Sequence, residues 1–249
     1  MHISERIKAE ERLLGTFVKT PHHVILEVLA GTGLDFAILD AEHSPYGIAE
    51  IDRCVMASKG ADLPCLVRVA DPSPAAILRI LDMGADGFLA PHVLNAYQAE
   101  RIVQSARYGA GGRGYAATNR AGSYGLTPMK EHLKISEHAA VILQIEDPEG
   151  VENIDEIVEV DGITACFIGR ADIAVAYGAE SMDARTVSSA VEKVRAACKR
   201  RKLPVATFVA NLGDTSQWYE RDFQILAVGS EHTAIQRYFS RDVVVAAKL

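Results

Sequence analysis

The feature that most constrains the fold of this chain is a repeated alternation of short apolar runs and amphipathic segments. Eight runs rich in Val, Ile, Leu, Ala and Phe recur along the sequence, each with the length of a buried strand. They are Thr16–Val18, Phe36–Leu39, Cys65–Val69, Gly87–Ala90, Val141–Ile145, Ala165–Ile168, Val205–Val209 and Ile225–Val228.

The segments between these runs carry apolar residues at the spacing of one helix face. Ile77 and Leu81 lie four residues apart in one segment, and Val187, Val191 and Val194 follow the same period in another. Strands that alternate with helices form a parallel sheet covered by the helices, and eight such units close into a barrel. We therefore predict a single (β/α)8 (TIM) barrel domain over residues 1–249.

Composition narrows the class of protein. The 249 residues are 49% apolar and 24% charged, which suffices for a full core. The formal net charge of -7 argues against nucleic-acid binding, which needs a basic face. The sequence has no run of 18 apolar residues, and its first residues lack the apolar stretch of a signal peptide. We expect no membrane partner and a cytoplasmic location.

The four cysteines do not indicate a metal or redox site. Cys54, Cys65, Cys166 and Cys198 lack the spacing of zinc ligands or of a C-x-x-C pair. Cys65 and Cys166 lie inside apolar runs, where a thiol behaves as a small apolar side chain. We expect all four to be reduced structural residues.

Polar residues gather where the strand candidates end. In a barrel of parallel strands the catalytic groups come from the C-terminal strand ends, which meet at one face. Polar residues distributed at random over the surface would not concentrate at the strand ends in this way. The residues are Asp40 and His43 after the second run, Arg68 in the third, Gln144 and Glu146 at the fifth, and Asp172 after the sixth.

Glu146 and Asp172 are candidate metal ligands. They are hard oxygen donors on neighbouring strands, which suits Mg2+ or Mn2+, whereas zinc would more often be bound by His or Cys. The alternative is a solvated carboxylate pair or a salt bridge to Arg170.

Arg68 and His43 are candidate catalytic groups. Arg68 offers a donor fork for an oxyanion or carboxylate, or else forms a buried ion pair with Asp40 or Asp71. His43 can take a proton near neutral pH, or else hydrogen-bonds to the backbone of its loop. Asp40 and Asp82 are candidates to orient His43, although Asp82 also fits an ordinary surface position near a helix end.

Two further segments are of interest, the first as a candidate binding element and the second as a long loop. Gly169 and Ala171 precede Asp172 at the start of a short helical pattern, where free backbone N–H groups bind anions, and the alternative is a plain turn. Tyr108–Gly125 is a long glycine-rich connection, and such loops are usually mobile or functional.

Six short motifs occur in an order that resembles the HpcH/HpaI aldolase family, from about Gly15 to at least Val228. The motifs are Phe36-Ala-Ile-Leu-Asp-Ala-Glu-His43, Leu66-Val-Arg68, Ala90-Pro-His-Val93, Gly112-Arg-Gly114, Gln144-Ile-Glu146 and Phe167-Ile-Gly-Arg-Ala-Asp172. The resemblance implies a (β/α)8 barrel with a swapped C-terminal helix, assembled as a homo-oligomer, often a hexamer.

The resemblance also implies an activity, which is cleavage of a 4-hydroxy-2-oxo acid into pyruvate and an aldehyde. It implies a divalent cation, Mg2+ or Mn2+ with Co2+ as a further option, bound by Glu146 and Asp172. The small-molecule partners would be a 2-oxo acid and an aldehyde.

Further roles come from the same resemblance. Arg68 would contact the keto or enolate oxygen of pyruvate. His43 would be the acid/base, supported by Asp40 and Asp82. Pyruvate would be held by Gln144 and by the backbone of Gly169, Ala171 and Asp172.

The sequence departs from the family pattern at several positions. Arg170 stands where the family commonly has Pro, Ala174 where it often has Ser, and Gly109-Ala110 where it has two prolines. Arg170 could reach an anionic second substrate or point outward, so the aldehyde is left open.

Three rival interpretations stay open. A Schiff-base aldolase would need a lysine at a strand end, for which Lys19 is the candidate. A condensing or decarboxylating enzyme on the same scaffold would use oxaloacetate or an acyl thioester, which Arg170 and Arg113 would suit. The third is a non-catalytic ligand-binding barrel, since the fold alone does not guarantee activity.

Overall fold

A computed structural model describes residues 1–210 and 212–247. Its centre is a closed barrel of eight parallel strands in sequence order, which confirms the predicted fold. The strands are β1 Leu13–Val18, β2 Phe36–Asp40, β3 Cys65–Arg68, β4 Gly87–Ala90, β5 Ala140–Ile145, β6 Ala165–Ile168, β7 Val205–Val209 and β8 Ile225–Ser230.

Helices cover the outside of the barrel, and the first helix closes the end at which the strands begin. They are α1 Ile3–Lys8, α2 Val24–Ala30, α3 Ile48–Gly60, α4 Pro74–Asp82, α5 Ala96–Ala106, α6 Met129–Ser136, α7 Pro148–Glu152, α8 Ile154–Ile157, α9 Arg170–Ala176, α10 Arg185–Arg200, α11 Thr215–Glu220, α12 Glu231–Arg237 and α13 Val244–Ala247. A π-helical turn, Tyr238–Val243, joins α12 to α13. Among the described residues, no helix combines the length and apolarity needed to cross a membrane.

Side-chain alternation along the strands divides the core into two layers. One layer fills the barrel interior, and Ile3 and Ile7 of α1 join it from the N-terminal end. The other lies between strands and helices and contains the predicted helix positions Ile77, Val187 and Val191. All four cysteines are reduced and buried, as the sequence predicted.

The C-terminal segment leaves a row of apolar side chains exposed. Ile235, Tyr238, Phe239, Val244 and Val245 are each more than 40% exposed. The exchange of this segment between copies stays a prediction, and the end of the chain at 248–249 lies outside the described residues.

Candidate active site

The inward-facing positions of the strands change from apolar to polar at the C-terminal rim of the barrel. On β5, Ala140 and Ile142 face the interior, and the same alternation carries Gln144 and Glu146 to the rim. Phe36 and Ile38 lead to Asp40 in the same way on β2. The strand period therefore places the polar side chains above an apolar barrel interior.

Asp40 and Arg68 form a buried ion pair, because strand register sets them side by side on β2 and β3. The Arg68 Nε and Nη2 atoms donate to Asp40 Oδ1 at 3.0 and 2.7 Å. The Arg68 Nη1 atom lies 3.2 Å from Glu42 Oε2, and the guanidinium carbon lies 4.9 Å from the Phe17 ring centre. Arg68 is thus fixed on three sides, with N–H groups left for a ligand.

Asp40 also meets a second cation. Lys19 Nζ lies 3.2 Å from Asp40 Oδ2, and the backbone N–H of Lys19 donates to Glu231 Oε1 at 2.8 Å. Burial acts to raise the pKa of Asp40, but Arg68, the His43 amide and Lys19 outweigh it, so the pKa is lowered overall. Asp40 is therefore a charged anchor for the surrounding cations.

Glu146 is buried without a cationic partner of this kind. Its side chain is 2% exposed, Oε1 accepts from the His92 backbone N–H at 2.9 Å, and Oε2 accepts from Gln144 Nε2. Burial raises the pKa of Glu146 to about 7, and the negative charge of Asp172 adds to this effect. A cation bound between the carboxylates would relieve both penalties.

Gly169 makes room for this carboxylate. A Cβ atom at Gly169 would lie 2.6 Å from the Glu146 Cβ and 2.7 Å from its Oε2. A side chain at this position would therefore displace Glu146. The glycine directly after β6 thus has a steric role beside Glu146, in addition to its predicted role in binding.

Asp172 lies in the first turn of α9 and is exposed. It is near enough to Glu146 to influence that group electrostatically. A tighter group of possible ligand atoms comes from Glu42, His92 and Glu146, whose candidate atoms all lie within 4.8 Å of one another. The acidic, partly buried oxygen donors fit a hard divalent cation.

His43 lies at the rim, but Asp40 does not hold its ring. Asp40 Oδ1 accepts from the backbone N–H of His43 at 3.1 Å, which fixes the loop. The ring is 55% exposed, and its Nε2 lies 3.7 Å from Glu42 Oε2. The exposed ring is accessible to a substrate or to water.

Asp82 does not join the other candidates within one chain. It ends α4, which runs back from the rim toward the start of β4, and it pairs with Arg113 of the glycine-rich loop. The expected support of His43 by Asp82 is therefore absent within a single chain, because the helix carries Asp82 to the opposite end of the barrel.

A cavity of about 340 Å³ opens at the rim. It is lined by six of the predicted site residues, namely Asp40, Arg68, Gln144, Gly169, Ala171 and Asp172. Lys19, Ser230 and the rings of Phe17, Phe167 and Phe208 complete much of its wall. A small polar acid with an apolar part fits such a lining.

Arg170 lies in the wall between this cavity and a second one of about 460 Å³. Its guanidinium carbon lies 4.5 Å from the Trp218 ring centre, and Nη2 donates to the Met182 carbonyl at 3.3 Å and to Asp183 Oδ1 at 3.1 Å. The residue that departs from the family pattern is thus held beside the site rather than over Glu146.

Sequence reasoning missed Glu42 and His92. Both lie within the motifs that resemble the family, but the sequence pattern alone indicates no role for either. The available signal was position, because each follows the C-terminal end of a strand by about two residues. Lys19 was considered only as a Schiff-base candidate, and its ion pair with Asp40 was not anticipated.

Comparison with known proteins identifies the family. The model of the HpcH/HpaI aldolase/citrate lyase family matches residues 13–237. The chain belongs to this family. Its similarity to enzymes named as aldolases also identifies it as a carbon–carbon lyase.

Three relatives show how close the similarity is. A 5-keto-4-deoxy-D-glucarate aldolase of Enterobacter sp. (strain 638) is 31% identical over 90% of this chain and 88% of its own. The HpcH/HpaI aldolase structure from Desulfitobacterium hafniense DCB-2 is 28% identical, with a TM-score of 0.93 over 100% of this chain and 98% of that one. The citrate synthase SbnG is 25% identical, with a TM-score of 0.89 over 99% and 98%.

Proposed function

We propose that this protein is a divalent-metal-dependent pyruvate aldolase that cleaves a 4-hydroxy-2-oxo acid into pyruvate and an aldehyde. The observation that carries the proposal is the buried Glu146 carboxylate, which pairs with no Lys or Arg among the described residues and lies at the same rim as the fixed Arg68 donor fork. Membership of an aldolase family and 31% identity to a sugar-acid aldolase support it.

Glu146 and Asp172 would hold the cation, and Gln144 would keep the Glu146 carboxylate in place. Mg2+ or Mn2+ is the expected ion, with Co2+ as a further option. When bound, the cation would supply Lewis-acid polarisation of the 2-oxo group. The backbone N–H groups of Gly169, Ala171 and Asp172 would bind the pyruvyl carboxylate.

The protein side chains divide the bond-breaking step between them. His43, acting through a water molecule, would take the proton from the 4-hydroxyl, so that the C3–C4 electron pair moves into the 2-oxo group as the aldehyde leaves. Arg68 would donate to the resulting enolate oxygen, which carries the developing charge. A proton returned to C3 then gives pyruvate, and no oxidant or reductant is needed.

The test measures pyruvate release over a panel of 4-hydroxy-2-oxo acids, starting with 5-keto-4-deoxy-D-glucarate. We expect turnover with Mg2+ or Mn2+, none after EDTA treatment, and loss of metal-dependent turnover in Glu146→Ala. The exposed Glu156→Gln variant is the matched control and should behave as wild type. Unchanged turnover and metal response in Glu146→Ala would refute the assignment.

Lys19 is the point at which the Schiff-base alternative is tested. Its Nζ atom lies 3.2 Å from Asp40 Oδ2 and is engaged by that carboxylate, whereas attack on a ketone needs an unengaged amine. Borohydride treatment in the presence of pyruvate should leave the protein mass unchanged. A covalent adduct at Lys19 would replace the metal-dependent proposal.

A condensing activity is the second candidate, favoured by the 25% identity to a citrate synthase along nearly the whole chain. Oxaloacetate and an acyl thioester would be its substrates. Thioester consumption without pyruvate release from any 4-hydroxy-2-oxo acid would favour it. Failure of both assays, together with failure of Mg2+ and oxalate to bind, would favour a non-catalytic barrel.

We also propose a homo-oligomer, with a hexamer as the expected form. The exposed apolar residues of the segment from Ile235 to Val245 would be covered by another copy. A neighbouring copy is also what would bring Asp82 to His43. Native mass spectrometry should give an oligomer, and a monomer at micromolar concentration would contradict this proposal.

A further inference from the structure

The ring of His92 has no role in the proposed cleavage, yet it faces two acidic side chains of the rim. Its Nε2 atom lies 3.4 Å from Glu42 Oε1, and its Nδ1 atom lies 3.5 Å from Glu146 Oε1. The ring is 56% exposed, so a ligand arriving from solvent can reach it. The position follows β4 directly, at the C-terminal end of the barrel.

Asp147 orients this imidazole. His92 Nδ1 lies 2.8 Å from Asp147 Oδ2, which is a hydrogen-bond distance. An imidazole that donates its Nδ1–H to a carboxylate keeps the lone pair on Nε2, here on the side of Glu42. Carboxylate, imidazole and cation in this sequence form a common metal-binding arrangement, in which the carboxylate fixes the tautomer and ring orientation.

Glu42 supplies the second observation. Its side chain is about nine-tenths buried. Oε2 lies 3.2 Å from Arg68 Nη1 but accepts no hydrogen bond within the described residues, and Oε1 faces His92 Nε2. Its neighbour Arg68 already bonds to Asp40 through two nitrogens. Because Glu42, Glu146 and Asp147 converge on one imidazole, the local negative charge exceeds what Arg68 can balance.

We propose that His92 Nε2 is a nitrogen ligand of the divalent cation at Glu146, with Glu42 as an additional oxygen ligand. Atoms that bind one ion at about 2.1 Å lie roughly 3.0 to 3.4 Å apart, close to the observed 3.4 Å between His92 Nε2 and Glu42 Oε1. This inference rests on the proposed function, because it assumes that Glu146 binds a cation.

A nitrogen ligand changes the metal preference of the site. Carboxylate and water ligands suit Mg2+, whereas imidazole raises the affinity for Mn2+, Co2+ and the later divalent metals of the first row. We therefore expect this centre to bind Mn2+ and Co2+ more tightly than Mg2+. The contribution of His92 should appear in that ratio rather than in the affinity for Mg2+ alone.

The backbone of His92 dictates the substitution that tests the proposal. Its φ is 54°, in the left-handed region, and its backbone N–H donates to Glu146 Oε1. Asn tolerates this conformation better than most residues do. His92→Asn therefore removes the imidazole while the backbone N–H that holds Glu146 is retained.

The test is pulsed electron paramagnetic resonance of the full-length protein loaded with Mn2+ alone. A directly bound imidazole gives a 14N modulation of the Mn2+ signal, which we expect in wild type and not in His92→Asn. Calorimetry should show that His92→Asn weakens Mn2+ binding at least about tenfold and changes Mg2+ binding far less. His138→Asn, at a histidine that contacts Glu5 and His2, should match wild type in both measurements.

The outcomes separate this inference from the proposed function. Suppose that wild type binds Mn2+ without 14N modulation and that Glu146→Ala does not bind Mn2+. This result would overturn the role of His92 and leave the metal assignment at Glu146 intact. A modulation that persists in His92→Asn would also overturn it. Absence of Mn2+ binding by wild type would overturn both proposals.

Discussion

Two buried carboxylates at the same rim of the barrel have opposite surroundings. Asp40 is completely buried between Arg68 and Lys19, and its pKa is lowered because these cations outweigh the effect of burial. Glu146 is as deeply buried, but its partners are the Gln144 amide, a backbone N–H and the His92 ring, whose Nδ1 lies 3.5 Å away. Burial raises its pKa to about 7.

The difference separates two uses of a buried charge. The chain supplies its own counterions to Asp40, so that carboxylate anchors Arg68 and the loop that carries His43. Around Glu146 it supplies further carboxylates, at Asp172 and Glu42, and among the described residues the His92 ring is the basic neighbour, so a divalent cation from solution would balance the charge. The negative charge at the half of the rim around β2 and β3 is thus balanced by side chains of the protein, whereas the half around β5 is suited to binding a cation.

The largest effect should follow from removing the Arg68 guanidinium from the half around β2 and β3. Arg68→Ala leaves Glu42 buried without its Arg partner, leaves Asp40 with Lys19 alone, and removes the donor to the enolate. We expect turnover to fall by about 10²–10³ and the free energy of unfolding by about 3–5 kcal/mol. Arg68→Lys, which keeps the charge and loses the fork, should recover more stability than turnover. Near-normal turnover in Arg68→Ala would contradict the assigned role.

The pH dependence of stability should have opposite signs in the two halves. In metal-free protein the folded pKa of Glu146 lies above its ordinary value of 4.5, so the folded state binds the proton more tightly. Stability from this group is present below about pH 4.5 and is lost as pH rises to about 7, by on the order of 3 kcal/mol. Urea unfolding of Glu146→Gln and wild type at pH 4.5 and 7.5 measures this difference.

We expect Glu146→Gln to gain stability relative to wild type as pH rises, and added Mn2+ to restore wild type alone. Asp40 should behave in the opposite way. Its pKa is lowered, so its contribution is present at neutral pH and is lost as pH falls through the acid range. If the free energy of unfolding of Glu146→Gln and of wild type changed with pH in parallel, the charge of Glu146 would be balanced within the metal-free protein, contrary to this prediction.

A steric change at Gly169 should affect the β5 half alone. The Cβ of Gly169→Ala would clash with Glu146, which we expect to cost about 1–3 kcal/mol in stability. Mn2+ affinity should fall at least about tenfold, because Glu146 would be displaced. Gly60→Ala, the same change at the end of α3 where an added Cβ would meet nothing within 4 Å, is the control. Equal Mn2+ affinity in both variants would place the ion away from Glu146.

Arg170 should give the smallest effect. Arg170→Ala removes a stack on Trp218 worth about 0.5–2 kcal/mol. Because Arg170 lies beside the cavity rather than at Glu146, we expect unchanged Mn2+ affinity and a changed KM for substrates with an acidic aldehyde part. A KM that is unchanged for acidic and neutral substrates alike would show that Arg170 is only structural.

The fold could be predicted from sequence because each strand is an apolar run that the barrel buries. The errors lie at strand ends. β1 begins at Leu13 and not Thr16, and β8 continues to Ser230 through Gly229, whose positive φ interrupts a regular pattern. The polar rim residues could be predicted because the alternation of side chains along each strand continues to its C-terminal end. They are Asp40, Arg68, Gln144 and Glu146.

The rest of the site depends on geometry that spacing does not encode. His92 faces Glu42 only because its backbone adopts a left-handed conformation and Asp147, from a different loop, holds the ring. Asp82 was the exception, because its position at the end of the helix after β3 already indicated the opposite end of the barrel, and only the family resemblance linked it to His43. Lys19 reaches Asp40 through a loop that Glu231 fixes from 212 positions away.

The most direct test of the contrast is Mn2+ binding, measured by calorimetry on metal-free wild type, Glu146→Gln and Asp40→Asn. We expect one ion per chain in wild type, loss of binding in Glu146→Gln, and retained binding in Asp40→Asn despite its weakened fold. If Mn2+ binding were retained in Glu146→Gln and lost in Asp40→Asn, the ion would lie at the half of the rim around β2 and β3, which would contradict the account.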